Sequence, residues 1–300
     1  MKKILTFLTV VFCMTVFQPV QAQDALVVIT HGAPSKAWNT SVLALEQQVT
    51  DALKAKGLEG KFSYVRVALM EFASPTIADV VKDCEKKGVR RIYAVPLFIA
   101  PSSHSEQDVP NILGLKCDAP TLATLKEEKA QLVSTDIHIT VGPTLYYTDT
   151  IKHIIADRVS SLAKDKKDCT FILLAHGDLD YYPFYNRLLD SAGRLVQQHT
   201  DIPFGGYATV GMGQEFYRDM LPAVQRAAAT GHKTILVQGI YLSSGVQELA
   251  MMGNMSQGHQ QYKDQFPKNV DIVYSSEALL PDLRIAAWIA DRGKEWLECR

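Results

Sequence analysis

One half of this chain repeats the other. VVITHGAPSKAWN ends an apolar, β-branched run at His31-Gly32, and FILLAHGDLDYYPFYN ends another at His176-Gly177. The correspondence extends further. KDCEKKGVRRIYAVPLFIAPSSH (82–104) is answered by VQRAAATGHKTILVQGIYLSSGVQ (224–247). Gly88 and Gly231 each stand where a helix closes before a strand, a position that favours glycine. A duplication on this scale restricts the fold, because whatever one half forms the other must also form.

What is repeated is an alternation of strand and helix. Strand-like runs occupy 25–30, 62–69, 90–99 and 137–142 in the first half, and 171–175, 206–211, 233–242 and 270–275 in the second. Helical patterns fall at 41–56, 76–87, 148–163, 185–198, 215–229 and 283–297. Strands apolar on both faces, alternating with helices, predict parallel sheets covered by helices. The expectation is an α/β chain with two similar four-stranded domains, over 23–145 and 146–300. Residues 114–135, including TLATLKEEKAQLV, read as a helical insertion in the first half, solvated surface rather than a lid.

Residues 1–22 predict a secretory signal peptide. Lys2 and Lys3 precede an apolar run from Ile4 to Phe17 and then small and polar residues, with cleavage after Ala22. The run is short for a membrane span, and no later segment is apolar enough, so stable membrane insertion is not expected. The chain is read as periplasmic or secreted. Its net charge of −1 gives no electrostatic case for nucleic acid. Cys84, Cys117, Cys169 and Cys299 are scattered without a C-x-x-C. An oxidising compartment permits a disulfide among them, and four separate thiols are an equal reading. The sequence leaves the oligomeric state open.

In open parallel sheets, ligands sit beyond the carboxyl ends of the strands. His31 and His176 both fall there, and so does His104 after PLFIAPSS. The repeat breaks at His104, which is answered by Val246 or Gln247. Glu71 ends the second strand. His31, Glu71 and His104 thus come from three strand ends of one sheet. Two imidazoles and a carboxylate suit a borderline divalent ion, and three ligands leave coordination positions open for chemistry. His176, without a second histidine, is a relic, a substrate contact or a structural residue. Met251, Met252, Met255 and His259 would suit Cu(I), although flexible packing is the commoner use of methionine. Asp178 and Asp180 read as helix caps. Tyr146, Tyr147, Tyr181 and Tyr182 would line a cleft for a flat ligand or pack between the halves. No G-x-x-x-x-G-K-[ST] loop occurs, and GMGQEF ends in Phe216, so no nucleotide is expected. H-E-x-x-H, G-x-S-x-G and R-H-G are absent from the sequence as well.

The segments THGAPS and ALMEFASPTIADVVKDCEKKGVRRIYAVPLFIAPSSHSEQDVP, with the duplication, resemble the CbiX/sirohydrochlorin chelatase family, a branch of the class II, ATP-independent tetrapyrrole chelatases. The resemblance is strongest over 25–113 and implies two tandem chelatase-like (flavodoxin-like) domains. It implies a lyase that inserts a divalent metal substrate, Co²⁺ first with Fe²⁺ or Ni²⁺ as alternatives, into a tetrapyrrole such as sirohydrochlorin or a porphyrin, as in cobalamin biosynthesis. It also implies roles. His31 and His104 would bind the metal and assist removal of pyrrole protons, and Glu71 would complete the metal site. Insertion replaces two N–H protons with one M²⁺, and histidine, titrating near neutrality, suits both ligand and base. The rival reading is an exported metal-, haem- or tetrapyrrole-binding protein without turnover. A hydrolase using strand-end histidines is a weaker third.

Overall fold

The computed structural model describes residues 23–299. The expected signal peptide, residues 1–22, lies outside the described residues. The first half runs β1 (Asp24–Thr30), α1 (Lys36–Leu43), α2 (Leu45–Ala55), β2 (Tyr64–Leu69), α3 (Ile77–Lys86) and β3 (Arg91–Pro96). One turn of π-helix (His104–Asp108) leads into α4 (Val109–Ile112), followed by α5 (Ala119–Glu127), β4 (His138–Val141) and α6 (Thr150–Leu162). The second half runs β5 (Cys169–Ala175), α7 (Tyr182–Thr200), β6 (Phe204–Thr209), α8 (Gln214–Ala228) and β7 (Thr234–Gly239). It ends with α9 (Val246–Met255), α10 (His259–Lys263), β8 (Asp271–Tyr274) and α11 (Leu283–Glu298).

Two four-stranded sheets form, in the orders β2-β1-β3-β4 and β6-β5-β7-β8. Every pairing is parallel. This is the α/β fold expected from the repeat. The central strands β1 and β5 are buried along their whole lengths, which is why their sequences are nearly continuous apolar runs. Gly88 and Gly231 have φ of 71° and 84°, in the left-handed region expected after a helix. Thr76 and Asp79 form a reciprocal capping box that starts α3 just after the Glu71 turn.

Several boundaries differ from expectation, two of them for reasons the hydrogen bonds show. The first helix starts at Lys36, because the Ser35 side chain accepts the Trp38 N–H at 3.3 Å and caps it earlier. The run 90–99 stays in the sheet only to Pro96; the Phe98 N–H turns back onto the Pro96 carbonyl at 2.9 Å. The four cysteines are free, Cys84 and Cys169 buried and Cys117 and Cys299 exposed.

The last helix of each half crosses to the other sheet. Helix α6 follows β4, yet it packs on α7 and β7; helix α11 follows β8, yet it packs on α2 and β3. Trp296 of α11 stacks on Phe62 and Tyr93 of the first half, at ring separations of 6.1 and 5.4 Å. Arg158 of α6 pairs with Glu277 and Asp282, and Asp157 pairs with Arg284 at 2.8 Å. One core therefore serves both halves. It joins Leu26 and Tyr93 of the first sheet to Leu173 of the second through Ile154, Ile155, Ile285 and Ile289. Each such aliphatic side chain contributes about 1.5–3 kcal/mol on burial, so the exchange binds the halves firmly.

Candidate metal centre

The site grows out of the β1–β2 ladder. The register places Thr30 opposite Leu69, and hydrogen bonding continues past the strand ends. Met70 N–H donates to the Thr30 carbonyl at 2.8 Å and Glu71 N–H to the His31 carbonyl at 3.0 Å. Glu71 therefore stands beside His31, with Oε1 2.8 Å from His31 Nε2. Gly32 makes this possible. Its φ is +96°, and a Cβ there would lie 2.1 Å from the Glu71 carbonyl oxygen. At Gly177, φ +79°, a Cβ would meet the Thr209 side chain at 2.9 Å. Both His-Gly dipeptides thus end in glycine because the neighbouring strand end approaches so closely.

His104 arrives from β3 by a short excursion pinned by Ser102 and Ser105, whose backbone and side chains bond each other. Its ring meets His31 edge-on at 4.8 Å. Asp108, one turn later, takes Nδ1 at 2.7 Å, which leaves Nε2 as the open ligand atom. Burial pulls the His104 pKa down, but the Asp108 hydrogen bond and the charges of Asp108, Glu71 and Asp178 outweigh it and raise it. The ligand atoms of His31, Glu71 and His104 lie within 4.8 Å of one another, the one such group of His, Cys, Asp and Glu among the described residues. Two nitrogens and an oxygen on one open side fit a divalent transition metal.

The second half lacks the partners. Val210 N–H bonds the Ala175 carbonyl at 2.8 Å as Met70 bonds Thr30, so Gly211 stands where Glu71 would be. Buried Val246 opens α9 where His104 opens its turn. His176 remains, its Nδ1 3.2 Å from the Val210 carbonyl and its ring edge-on to Tyr241 at 4.9 Å. Burial between the halves lowers its pKa, and the nearby His31 acts in the same direction. Its ring is nonetheless exposed on the cleft wall.

All three histidines line one cleft of about 600 Å³ between the halves. Its walls are mostly apolar, with Tyr185 and Leu242 buried, Trp38 and Phe98 half-buried, and Met212 and Met252 exposed. Phe72, with φ of 63°, places its ring 5.7 Å from His31 and is largely exposed. A non-glycine residue held there is strained, as functional sites often are. The insertion is exposed over much of its length, but Leu125 is buried, and Glu128 and Lys129 border a second hollow with Glu71 and Phe72.

Other sequence candidates separate. Asp178 does not cap α7, whose N-cap is Tyr181 with no side-chain cap; its Oδ1 accepts the Asp180 and Tyr181 N–H groups in the turn before the helix, and its Oδ2 accepts the Ser103 N–H at 2.8 Å. Asp180 caps nothing in the hydrogen bonds described for it and supplies one of those donors. Tyr146 packs on Tyr147 and on Phe184 of α7, and Tyr181 packs on Phe184 as well. Tyr182 receives the Thr209 hydroxyl hydrogen bond. Tyr185 and Tyr241, unmarked by any motif, are the tyrosines at the cleft. The methionine group is divided: Met252 faces the cleft, Met251 faces a separate hollow beside Tyr217, and Met255 is exposed. His259 Nδ1 bonds the Ser256 carbonyl.

The CbiX family model matches residues 25–162. A sirohydrochlorin cobaltochelatase of Methanococcus maripaludis is 34% identical over 92 residues, which is 31% of this chain and 59% of that relative. One from Saccharolobus solfataricus is 29% identical over 106 residues, 35% of this chain and 77% of the relative. The match thus spans about three fifths of the archaeal Methanococcus protein. The sirohydrochlorin chelatase SirB from Bacillus subtilis subspecies spizizenii, solved with cobalt, superposes at a TM-score of 0.58 and 16% identity, covering 91% of this chain and 94% of SirB. DR2241 from Deinococcus radiodurans, described as multi-domain with structural similarity to chelatases, gives 0.55 at 18% identity, over 90% of this chain and 55% of DR2241. These two likenesses establish the fold.

Proposed function

On the premise that residues 25–162 are CbiX-like, we propose that this protein is a tetrapyrrole chelatase that inserts a divalent metal without a nucleotide. Co²⁺ is the first choice of substrate metal, with Fe²⁺ and Ni²⁺ as alternatives, and sirohydrochlorin or a related ring is the acceptor. The observation that carries this reading is the convergence of His31, Glu71 and His104 on the wall of an apolar cleft. Three ligands hold a metal while leaving positions for incoming ring nitrogens. The apolar walls suit a flat macrocycle. As the metal transfers, Glu71 and the histidines are freed and become proton acceptors beside the ring. The leader-like residues 1–22 support an exported location; fractionation of cells expressing the full chain tests it.

The direct test is absorbance spectroscopy of Co²⁺ with metal-free sirohydrochlorin, and with a porphyrin, over many equivalents of ring per protein. Catalytic conversion that is lost in the His31→Ala/His104→Ala double variant supports the reading. Saturable binding without conversion supports the storage or delivery alternative. Conversion at wild-type rate by the double variant overturns the site.

A further inference from the structure

We propose that the acceptor ring is one whose periphery is mainly alkyl, with its carboxylates confined to one edge, and that a ring bearing carboxylates on every pyrrole is a poor substrate. The inference rests on the chelatase reading above and narrows it. Among the described residues that line the cleft, none is lysine or arginine, and those that carry a fixed charge are Asp178 and Glu248, both acidic. Glu71 adds another carboxylate beside His31. Most of the remaining lining is apolar, and part of it stands in water. Phe72, Met212 and Met252 are 62%, 48% and 41% exposed. Large apolar side chains gathered in this way on a soluble protein mark a surface that a ligand or partner covers.

The periphery decides how such a ring is received. A carboxylate brought against Asp178 or Glu248 is repelled, and it gives up water with no guanidinium or ammonium group to replace it. Alkyl substituents gain by leaving water for the same walls. Sirohydrochlorin carries acetate and propionate side chains all round its edge, so whichever edge enters brings carboxylates with it. A ring with a single pair of propionates can turn them to solvent and bury its alkyl edge. The likeness to sirohydrochlorin chelatases does not decide the point, because the CbiX match ends at residue 162. The matched residues include His31, Glu71 and His104. Met212, Tyr241, Leu242, Glu248 and Met252 line the cleft from beyond the match. The surface that receives the ring's periphery thus belongs in large part to the second half of the chain.

The test compares porphyrins that differ only at the edge. Deuteroporphyrin has one pair of propionates, with methyl groups or hydrogen elsewhere, and uroporphyrin has acetate and propionate on every pyrrole; sirohydrochlorin is run beside them. Ring affinity is measured by fluorescence quenching and Co²⁺ insertion by absorbance. We expect deuteroporphyrin to bind about tenfold or more tightly than uroporphyrin and to be converted with the higher kcat/KM. Added salt should tighten uroporphyrin binding by screening the repulsion, and should leave deuteroporphyrin within about threefold. Glu248 is exposed in the first turn of α9. Glu248→Lys should improve uroporphyrin and sirohydrochlorin binding by about tenfold and change deuteroporphyrin little. Equal or better use of uroporphyrin or sirohydrochlorin by the wild type overturns the inference and leaves the chelatase reading standing. So does a Glu248→Lys protein whose ring preference is unchanged. Conversion of none of these rings overturns the chelatase reading, and this inference falls with it.

Discussion

Asp178 accepts the backbone N–H of Ser103 at 2.8 Å, so the loop that ends the second half's first strand holds the turn that presents His104. The two halves therefore share responsibility for one metal ligand. Asp178→Ala should lower Co²⁺ affinity by loosening the backbone turn that presents His104. Asp178→Asn keeps an acceptor and should lose less. Calorimetric titration of each variant with Co²⁺ checks this, and unchanged affinity in Asp178→Ala would refute it.

The asymmetry of the repeat sets the stoichiometry. With Gly211 and Val246 in the second half, only the His31, Glu71 and His104 group is complete among the described residues. Equilibrium dialysis should find one tight Co²⁺ per chain. The His31→Ala/His104→Ala variant should bind none tightly, and His176→Ala should still bind one.

Gly32 and Gly177 look equivalent in sequence but should not respond equally. A Cβ at Gly32 meets backbone, the Glu71 carbonyl, at 2.1 Å, whereas at Gly177 it meets a threonine side chain. Left-handed backbone at a non-glycine residue costs about 1–3 kcal/mol at either place. Gly32→Ala should in addition displace Glu71 and weaken Co²⁺ binding. Thermal unfolding together with metal titration separates the two effects; equal metal affinity in both variants would contradict the geometry.

The sheets and the three-residue group were legible in the sequence because they depend on local pattern. Apolar strand runs, strand-end positions and one repeat mismatch at His104 were enough to bring out His31, Glu71 and His104. Gly211 as the empty counterpart of Glu71 was not legible, since only the ladder beyond Thr30 and Ala175 aligns them. Nor were Phe72, Tyr185 and Tyr241, which are ordinary core-type residues until the fold turns them toward the cleft. Asp178 illustrates the limit well. The local pattern suggested a helix cap, but Asp178 closes the turn before α7 instead, and its bond to Ser103 spans 75 positions and leaves no local signal.

The exchanged helices predict joint unfolding. Ile289 of α11 is fully buried in the core common to both halves. Ile289→Ala should cost about 2–5 kcal/mol. Calorimetry should still show one transition, lowered as a whole. Two separated transitions would mean that the halves are independent.

Acid should attack the same junction. The Arg284 hydrogen bond holds the Asp282 carboxyl below its usual 3.8, burial opposes it, and Arg158 adds to the lowering. A carboxyl depressed in the folded state stabilises fully above its unfolded value, and that stability is lost as pH falls through the folded value. Stability should therefore decline below about pH 4. Asp282→Asn, which retains a good helix cap, should flatten that decline. Urea unfolding of both proteins from pH 6 down to pH 3 measures the difference.

The crossing of α11 also orders events during synthesis. A ribosome delivers the amino end first, yet the sheet that carries His31, Glu71 and His104 is covered on one face by the last helix of the chain. Until residues 283–298 emerge, Phe62 and Tyr93 lack the Trp296 ring that stacks on them, and Leu26 has only part of its core around it. The halves should therefore complete their cores together rather than one after the other, as tandem domains ordinarily do. The half that carries the metal ligands is encoded first, yet its packing is completed by the helix that is made last.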